Sequence, residues 1–257
     1  MSKKEEMEFD AFAEDYNRAL QDGLRSSGET PNYFAEYKVR YLAQRLALEP
    51  KTRILDFGCG TLGDMGIHIF DTPFKSLDLT DPLWVEAECR TPNGFGHAET
   101  NKVHYGFAPT KYTTDNFTFT WWDGAGAPRH NGNPDLQLPN GDKLPKQGAL
   151  YVGEAGRMVL PHCSMPTFYP DSVLDGVDKK GFQNVNHYTQ FLNAIQGKDK
   201  TLAGFDYAGP LTDVVLLGAV ALRTGKKIRW DGPNRKATNA PEADKYIKPA
   251  FRKGWGL

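Results

Sequence analysis

The stretch LWVEAECRTPNGFGHAETNKVHYGFAPTKYTTDNFTFTWW, residues 83–122, decides the fold class of this chain. Runs of β-branched and aromatic residues alternate in it with clusters of glycine, proline and asparagine, which is the pattern of short strands joined by turns. We predict strands at residues 83–89, 103–107 and 117–122. Because these runs follow one another at short intervals, hairpins and a largely antiparallel sheet are favoured.

The same texture continues downstream and is followed by helical periodicity. Further predicted elements are strands at 149–153 and 157–160 and helices at 185–196 and 211–224. Gly197 and Gly225 end the two helices, as glycine commonly does. Residues 123–147 and 161–182 are rich in Pro, Gly, Asn and Asp, so we predict long loops there. The fold class is therefore α+β.

The first 61 residues have a different pattern of apolar and polar residues. Apolar positions recur at steps of three and four in FDAFAEDYNRALQDGL and in YFAEYKVRYLAQRLAL, which predicts two helices within residues 9–48. Residues 53–57 then form a short apolar run that leads into Gly58-Cys59-Gly60, which predicts one buried strand and a tight turn. We expect residues 1–61 to be a short helical segment with a single strand.

Composition excludes several classes of protein. The 257 residues carry a net charge of -1, so nucleic acid and acidic membranes are not expected partners. The start, MSKKEEMEFD, lacks the apolar core of a secretory signal, and we expect a cytoplasmic protein. Cys59, Cys89 and Cys163 form no C-x-x-C pair, so we expect free thiols and no bound metal.

The segment Asp64-Met65-Gly66-Ile67-His68 carries the chemical signal. On a helix that begins near Gly63, the carboxylate of Asp64 and the imidazole of His68 lie on one face. An imidazole can accept the proton of an alcohol during oxidation while a carboxylate orients it. The alternative is a structural role, with Asp64 as a first-turn carboxylate and His68 as an interior histidine.

Asp56-Phe57-Gly58-Cys59-Gly60-Thr61 resembles the nucleotide-binding turn of class I S-adenosylmethionine-dependent methyltransferases. The family pattern continues with glycine at the next position, where this chain has Leu62. No series of βα units follows, although a doubly wound nucleotide domain needs one. We interpret residues 1–61 as a methyltransferase-like fragment, and a methyltransferase activity remains the least favoured function.

Residues 61–257 resemble the C-terminal domain of the glucose-fructose oxidoreductase and inositol dehydrogenase family (Gfo/Idh/MocA). The matching segments, in family order, are TLGDMGIHIFDTPF at 61–74, FTWWDGAGAP at 119–128, LYVGEAGRMVL at 150–160, FDYAGPLTDVVLLGAVALRTGKKIRWD at 205–231, TNAPEADKYI at 238–247 and FRKGW at 251–255. The resemblance implies an open, mainly antiparallel sheet with helices on one face. It also implies that residues 62–257 form a substrate-binding and oligomerisation domain.

The resemblance assigns the catalytic roles to Asp64 and His68, which serve a hydroxyl group of a sugar or polyol substrate. His187 resembles a position that borders the substrate cleft, although a histidine at the start of a helix is commonly structural. Asp71 is placed by its spacing on the face of His68, and a role as a helix partner or at the surface is equally open. Tyr151 belongs, with Trp121 and Trp122, to aromatic positions that either form the floor of a sugar site or pack in the core.

Complete members of this family begin with a Rossmann domain, which binds NAD or NADP, and carry a Glu-Lys-Pro segment. This sequence contains no Glu-Lys-Pro segment and no series of βα units that would complete a Rossmann domain. We therefore expect no cofactor to bind to this chain alone, and we interpret the chain as truncated or chimeric, joined at the shared glycines near residue 61. The alternative function is a non-catalytic sugar-binding module that forms homo-oligomers through the face of its β-sheet.

Overall fold

The computed structural model describes residues 60–93, 98–124, 136–177 and 185–248, together with residues 250 and 254. The chain divides into two compact units, Met1–Asp56 and Phe57–Leu257, and every described element belongs to the second unit. The two helices predicted within residues 9–48 and the strand predicted at 53–57 lie outside the described residues.

The described strands form two antiparallel sheets. In chain order the strands are β1 Pro82–Glu88, β2 Thr100–Phe107, β3 Thr118–Gly124, β4 Gly148–Gly153, β5 Gly156–Pro161, β6 Thr167–Tyr169, β7 Ile228–Asp231 and β8 Lys236–Ala237. A five-stranded sheet has the order β3-β2-β1-β7-β8, and a three-stranded sheet has the order β4-β5-β6. Every described pair of neighbouring strands is antiparallel. The open antiparallel sheet and the α+β class predicted from the sequence are confirmed.

The described helices are α1 Gly60–Ser76, α2 His187–Ile195, α3 Phe205–Thr224 and the short α4 Asp244–Ile247. Single 3₁₀ turns occur at Pro139–Gly141, Asp171–Leu174 and Pro241–Ala243. The side chain of Asn186 caps the start of α2 by accepting a hydrogen bond from the Thr189 amide, and Gly225 ends α3 in a left-handed conformation. The start of α2 and the end of α3 therefore each carry a residue type that is common at that end of a helix.

Helices α1 and α3 cover one face of the five-stranded sheet. Alternate residues of the strands are buried on that face, and the register places Val85 opposite Tyr105 and opposite Ile228. These side chains form one apolar core with Leu62 and Phe70 of α1 and with α3. Since side chains alternate across a strand, the intervening residues form a second face, which we call the open face.

Two glycines allow the close approach of these layers. A Cβ atom on Gly66 of α1 would lie 2.7 Å from the Val215 side chain of α3. A Cβ atom on Gly218 of α3 would collide with the Tyr105 hydroxyl, which is buried and has no hydrogen-bond partner among the described residues. Burial raises the pKa of Tyr105, so the phenol stays neutral in the core. Helix α3 therefore packs closely on the sheet at Gly218, because glycine has no side chain there.

Helix α3 is, among the described helices, the one long and apolar enough to cross a membrane by length and composition. A core helix of a soluble protein satisfies the same criteria, and the buried residues of α3 belong to the core described above. The helix is therefore weak evidence for a membrane span and is consistent with a soluble protein.

The structure differs from the sequence predictions in several places, among them the unpredicted β8 and α4. The region 161–182, predicted as loop, contains the short strand β6. Strand β7 was not predicted, although it extends the main sheet beside β1. Helix α3 begins at Phe205, six residues before the predicted start at Leu211, and it contains Pro210 within its second turn.

Candidate functional site

The candidate catalytic residues lie on the exposed face of α1. Asp64 and His68 are both exposed, while Leu62, Gly66 and Phe70 are buried against the core. Because α1 is helical throughout this segment, the two exposed residues lie one turn apart on the same face, as their spacing predicted. The helix begins at Gly60, so Asp64 follows the first turn, and the exposure of His68 does not fit an interior histidine.

A second histidine lies beside His68. The ring centroids of His68 and His162 are 5.7 Å apart, and the ring planes are inclined by 51°. His162 directly follows β5, and its backbone N–H donates a 3.1 Å hydrogen bond to the carbonyl of Gln147. The sequence analysis missed His162 because it lies in a region predicted as loop. Two imidazoles and one carboxylate therefore belong to this surface, which we call the α1 site (Asp64, His68 and His162).

Asp71 is held by the start of α3. The Tyr207 hydroxyl donates a 2.5 Å hydrogen bond to the Asp71 carboxylate and lies 3.0 Å from its main-chain carbonyl oxygen. Burial, and then the hydrogen bond to Asp71, raise the pKa of Tyr207. The Lys75 ammonium lies 5.4 Å from the centre of the same ring. The carboxylate of Asp71 is thus directed to Tyr207, and its substrate-binding role stays a prediction.

Tyr151 lies at the other end of α1 from Asp64. It belongs to β4, it is half-buried, and the side chain of Ser76 lies beside its hydroxyl group. Burial raises the pKa of Tyr151, and Ser76 opposes this shift. Ser76 and His68 are eight positions apart, which corresponds to about 12 Å along a helix. Tyr151 therefore borders the helix without joining the His68 pair, and its role in substrate binding stays a prediction.

His187 is the first residue of α2 and is exposed. Its ring centroid lies 4.1 Å from that of Tyr188. Within the described part of the chain, no hydrogen bond or ring contact connects His187 with the residues of α1. The geometry therefore does not bring His187 together with Asp64 and His68, and its substrate-binding role remains a prediction from resemblance.

The open face of the main sheet is polar. The Trp84 indole covers Gly106 of the neighbouring strand, and the Lys227 ammonium lies 3.7 Å from the centre of the Trp84 ring. Lys227 also forms a 3.0 Å ion pair with Glu86. An aromatic ring that carries a cation on one side is a favourable electrostatic pairing.

A second polar cluster lies farther along the same face. Glu88 accepts hydrogen bonds from His104 at 2.8 Å and from Lys102 at 3.1 Å. These two bonds, that of His104 first, lower the pKa of Glu88. The other ring nitrogen of His104 lies 3.0 Å from the Thr120 hydroxyl. On the open face, the acidic side chains Glu86 and Glu88 of β1 therefore pair with Lys227, Lys102 and His104 from the neighbouring segments.

The two adjacent tryptophans of β3 have different environments. Trp121 is buried, and its indole N–H donates a 2.7 Å hydrogen bond to the buried carboxylate of Asp123. Asp123 also accepts a 2.6 Å hydrogen bond from the Asn101 side chain. Trp122 is half-buried and pairs in register with Lys102 on the open face. Trp121 thus packs in the core, and Trp122 borders a polar surface.

Metals and dinucleotides make different demands on the described residues. Those residues contain no group of three or more His, Cys, Asp or Glu side chains placed to hold a metal ion. Cys89 and Cys163 are free thiols, and the exposed Cys163 directly follows His162. A dinucleotide fold requires parallel βαβ units, whereas all described strand pairs are antiparallel. The described residues therefore do not fit NAD or NADP.

No protein-family model matches this chain, and no curated protein matches it at significant similarity.

Proposed function

We propose that residues 62–257 form the substrate domain of a Gfo/Idh/MocA-type, NAD(P)-dependent oxidoreductase that acts on a sugar or polyol. The observation that carries this proposal is the α1 site, where Asp64 and His68 share the exposed face of one helix beside the ring of His162. A chimeric origin of the chain, with a junction near residue 61, is part of this proposal and rests on the two resemblances. We expect the chain to be cytoplasmic and to lack dehydrogenase activity by itself.

The chemistry assigned to this site is removal of a proton from a substrate hydroxyl group. A neutral imidazole accepts such a proton at a ring nitrogen, and His68 is exposed to a bound polyol. A carboxylate one turn away stabilises the imidazolium that forms, and Asp64 has this position. His162 is placed to hydrogen-bond a neighbouring hydroxyl group of the same ligand.

The dinucleotide is not assigned to this chain, because the described residues do not fit it. The family resemblance implies NAD or NADP as the oxidant, and a separate component has to supply it. Our proposal for this chain is limited to binding a polyol and accepting its hydroxyl proton at His68.

The proposal can be tested by NMR titration of the histidine ring protons with a panel of cyclic polyols and aldoses. We expect the ring signals of His68 and His162 to shift saturably with one ligand class. His68→Ala should weaken binding at least tenfold, since a positioned charged or polar partner contributes about 1.5–3 kcal/mol. His104→Ala is the matched control, because His104 lies on the opposite side of the sheet.

Unchanged affinity after His68→Ala would contradict the proposed role of the α1 site. If a nicotinamide-binding partner domain can be combined with this chain, polyol-dependent nicotinamide reduction must disappear in the same variant. Full activity of His68→Ala in that mixture would show that His68 does not accept the hydroxyl proton.

The second candidate is a non-catalytic sugar-binding or self-association module that uses the open face. It is favoured by Trp84 and Trp122, which stand among charged side chains on a face that no described helix covers. Aromatic rings flanked by hydrogen-bonding groups suit carbohydrate ligands. In the same titration this candidate requires the opposite result, with binding lost in His104→Ala and retained in His68→Ala. A strict monomer in light scattering would count against self-association.

A further inference from the structure

Helix α2 exposes its apolar side. Tyr188, Phe191, Leu192 and Ile195 leave 73, 58, 59 and 67% of their surfaces exposed. Their spacing of three and four positions places all four on one helix face, which we call the α2 strip. The opposite side carries Gln190, whose side-chain oxygen accepts a 3.1 Å hydrogen bond from the Leu202 amide. The polar side thus faces the chain and the apolar side faces outward, the reverse of an ordinary surface helix.

Helix α2 itself carries no charge, and the nearest charged residues in sequence, Lys198, Asp199 and Lys200, follow its end. Residues 185–197, VNHYTQFLNAIQG, include no Asp, Glu, Lys or Arg. Cores of homodimer interfaces are depleted of charged residues in this way. A helix that binds a lipid surface instead carries Lys or Arg on its polar face, and α2 has neither. The chemistry of the strip therefore favours a protein partner with a similarly uncharged, apolar surface.

The order of residues in the strip is self-complementary. A two-fold axis placed between positions 191 and 192 exchanges 188 with 195 and 191 with 192. In an antiparallel pair of α2 helices, Tyr188 would face Ile195 of the second copy, and Phe191 would face Leu192. Each contact then joins an aromatic ring to an aliphatic side chain and removes apolar surface of both from water.

The exposed area is sufficient for a weak dimer. Four large side chains that are more than half exposed present on the order of 500 Å² per copy, given roughly 150–250 Å² for a fully buried aromatic side chain. Two copies would then bury about 1,000 Å², which is the lower limit for a specific interface.

We propose that the α2 strip is a self-association surface, on which two copies of this chain pair their α2 helices in antiparallel orientation about a two-fold axis. This surface is separate from the open face and independent of the α1 site. The partner is a second copy, because residues 188, 191, 192 and 195 are symmetric with respect to the axis and no charge in the segment selects a different protein.

Light scattering and sedimentation velocity over micromolar to millimolar concentrations test this pairing. The wild-type chain should dimerise with a dissociation constant in the micromolar range. Phe191→Asp and Leu192→Lys should each weaken the dimer at least tenfold, because each buries a charge against an apolar partner. The double variant Phe191→Asp/Leu192→Lys should recover the dimer, since the antiparallel pairing places each carboxylate opposite an ammonium.

Two control variants separate this interface from other surfaces. Met165→Asp adds the same charge at an exposed apolar residue, and Thr118→Lys adds a charge in the row of Trp84 on the open face. Neither should change the dimer, and circular dichroism should show all variants folded. A monomer at every concentration, or a dimer that Thr118→Lys abolishes and the α2 variants leave intact, would overturn the proposal. A double variant that stays monomeric while folded would overturn the antiparallel pairing.

Discussion

At the scale of single residues, the bond between Tyr207 and Asp71 links α3 to α1. The pKa of Tyr207 is raised above its ordinary value of 10 in the folded protein. A group whose pKa is higher in the folded than in the unfolded state contributes its full stabilisation at pH values below the unfolded pKa. This contribution is lost as pH rises through the folded pKa. The contribution of Tyr207 to stability should therefore be constant at neutral pH and should decrease in alkali.

We predict that Tyr207→Phe lowers the free energy of unfolding by about 1 kcal/mol at pH 7, the value of an average hydrogen bond. The difference in unfolding free energy between wild type and Tyr207→Phe should diminish above about pH 10. In that range the phenol ionises in the unfolded wild-type chain, while it stays protonated in the folded protein. Urea unfolding at a series of pH values measures both quantities. Tyr246→Phe, which removes a hydroxyl without a described hydrogen bond, should show no such pH dependence. Parallel pH profiles for wild type and Tyr207→Phe would contradict this account.

The residues of the α1 site differ in how far the sequence could predict them. Asp64 and His68 are four positions apart on one helix, so local periodicity was sufficient to place them together. His162 lies ninety-four positions from His68 in sequence and reaches it through the packing of the three-stranded sheet on α1. No local pattern encodes such a contact. The same is true of Tyr207, which approaches Asp71 from a different helix.

At the scale of elements, the packing of α3 depends on Gly218. We predict that Gly218→Ala lowers the free energy of unfolding by about 1–3 kcal/mol, because the added methyl group overlaps the Tyr105 hydroxyl in a close-packed core. Gly209→Ala in the same helix is the matched control, since a Cβ atom there meets nothing within 4 Å. It should change the free energy of unfolding by less than about 1 kcal/mol, because the higher helix propensity of alanine is offset by the steric restriction that Pro210 places on the residue before it.

Urea unfolding measures both glycine variants. Equal effects of the two substitutions would show that helix propensity, and not the contact with Tyr105, determines the result. The paired design separates the two causes because both glycines lie in α3 and receive the same side chain.

The elements that the sequence predicted well have a strong local pattern. Strands β1 to β5 contain alternating or β-branched runs, and their positions agree with prediction to within three residues at either end. Strand β6 has three residues, which is too short for alternation to be visible. Strand β7 has four residues and gains its place by pairing with β1, a non-local partner. The start of α3 was missed because Gly209-Pro210 indicates a break that the helix tolerates.

At the scale of the whole molecule, the antiparallel arrangement has a consequence for ligands. Dinucleotides and S-adenosylmethionine bind at the carboxyl ends of parallel strands in doubly wound folds. The described unit has no parallel pair of strands. We predict that NAD, NADP and S-adenosylmethionine produce no binding heat with this chain in calorimetry. Micromolar binding of any of them would contradict this inference from the antiparallel strands.

The fold class of the described unit could be predicted because strands β1 to β3 and β4 to β6 pair in sequence order, as consecutive antiparallel strands do. The pairing of β1 with β7 joins strands that are distant in sequence. The function of the unit could be proposed only from the resemblance and from the α1 site. The open face and the α2 strip were not predicted in detail, because the exposure of a side chain depends on which elements cover it.

The exposed thiol of Cys163 stands one residue beyond His162. Burial raises the pKa of the Cys89 thiol, and a protonated thiol reacts slowly with electrophiles. Of these two cysteines, Cys163 should therefore be alkylated first at neutral pH. A fluorescent maleimide attached there would stand beside the histidine pair and change its emission when a small molecule arrives, which offers a direct way to screen for ligands without a catalytic assay.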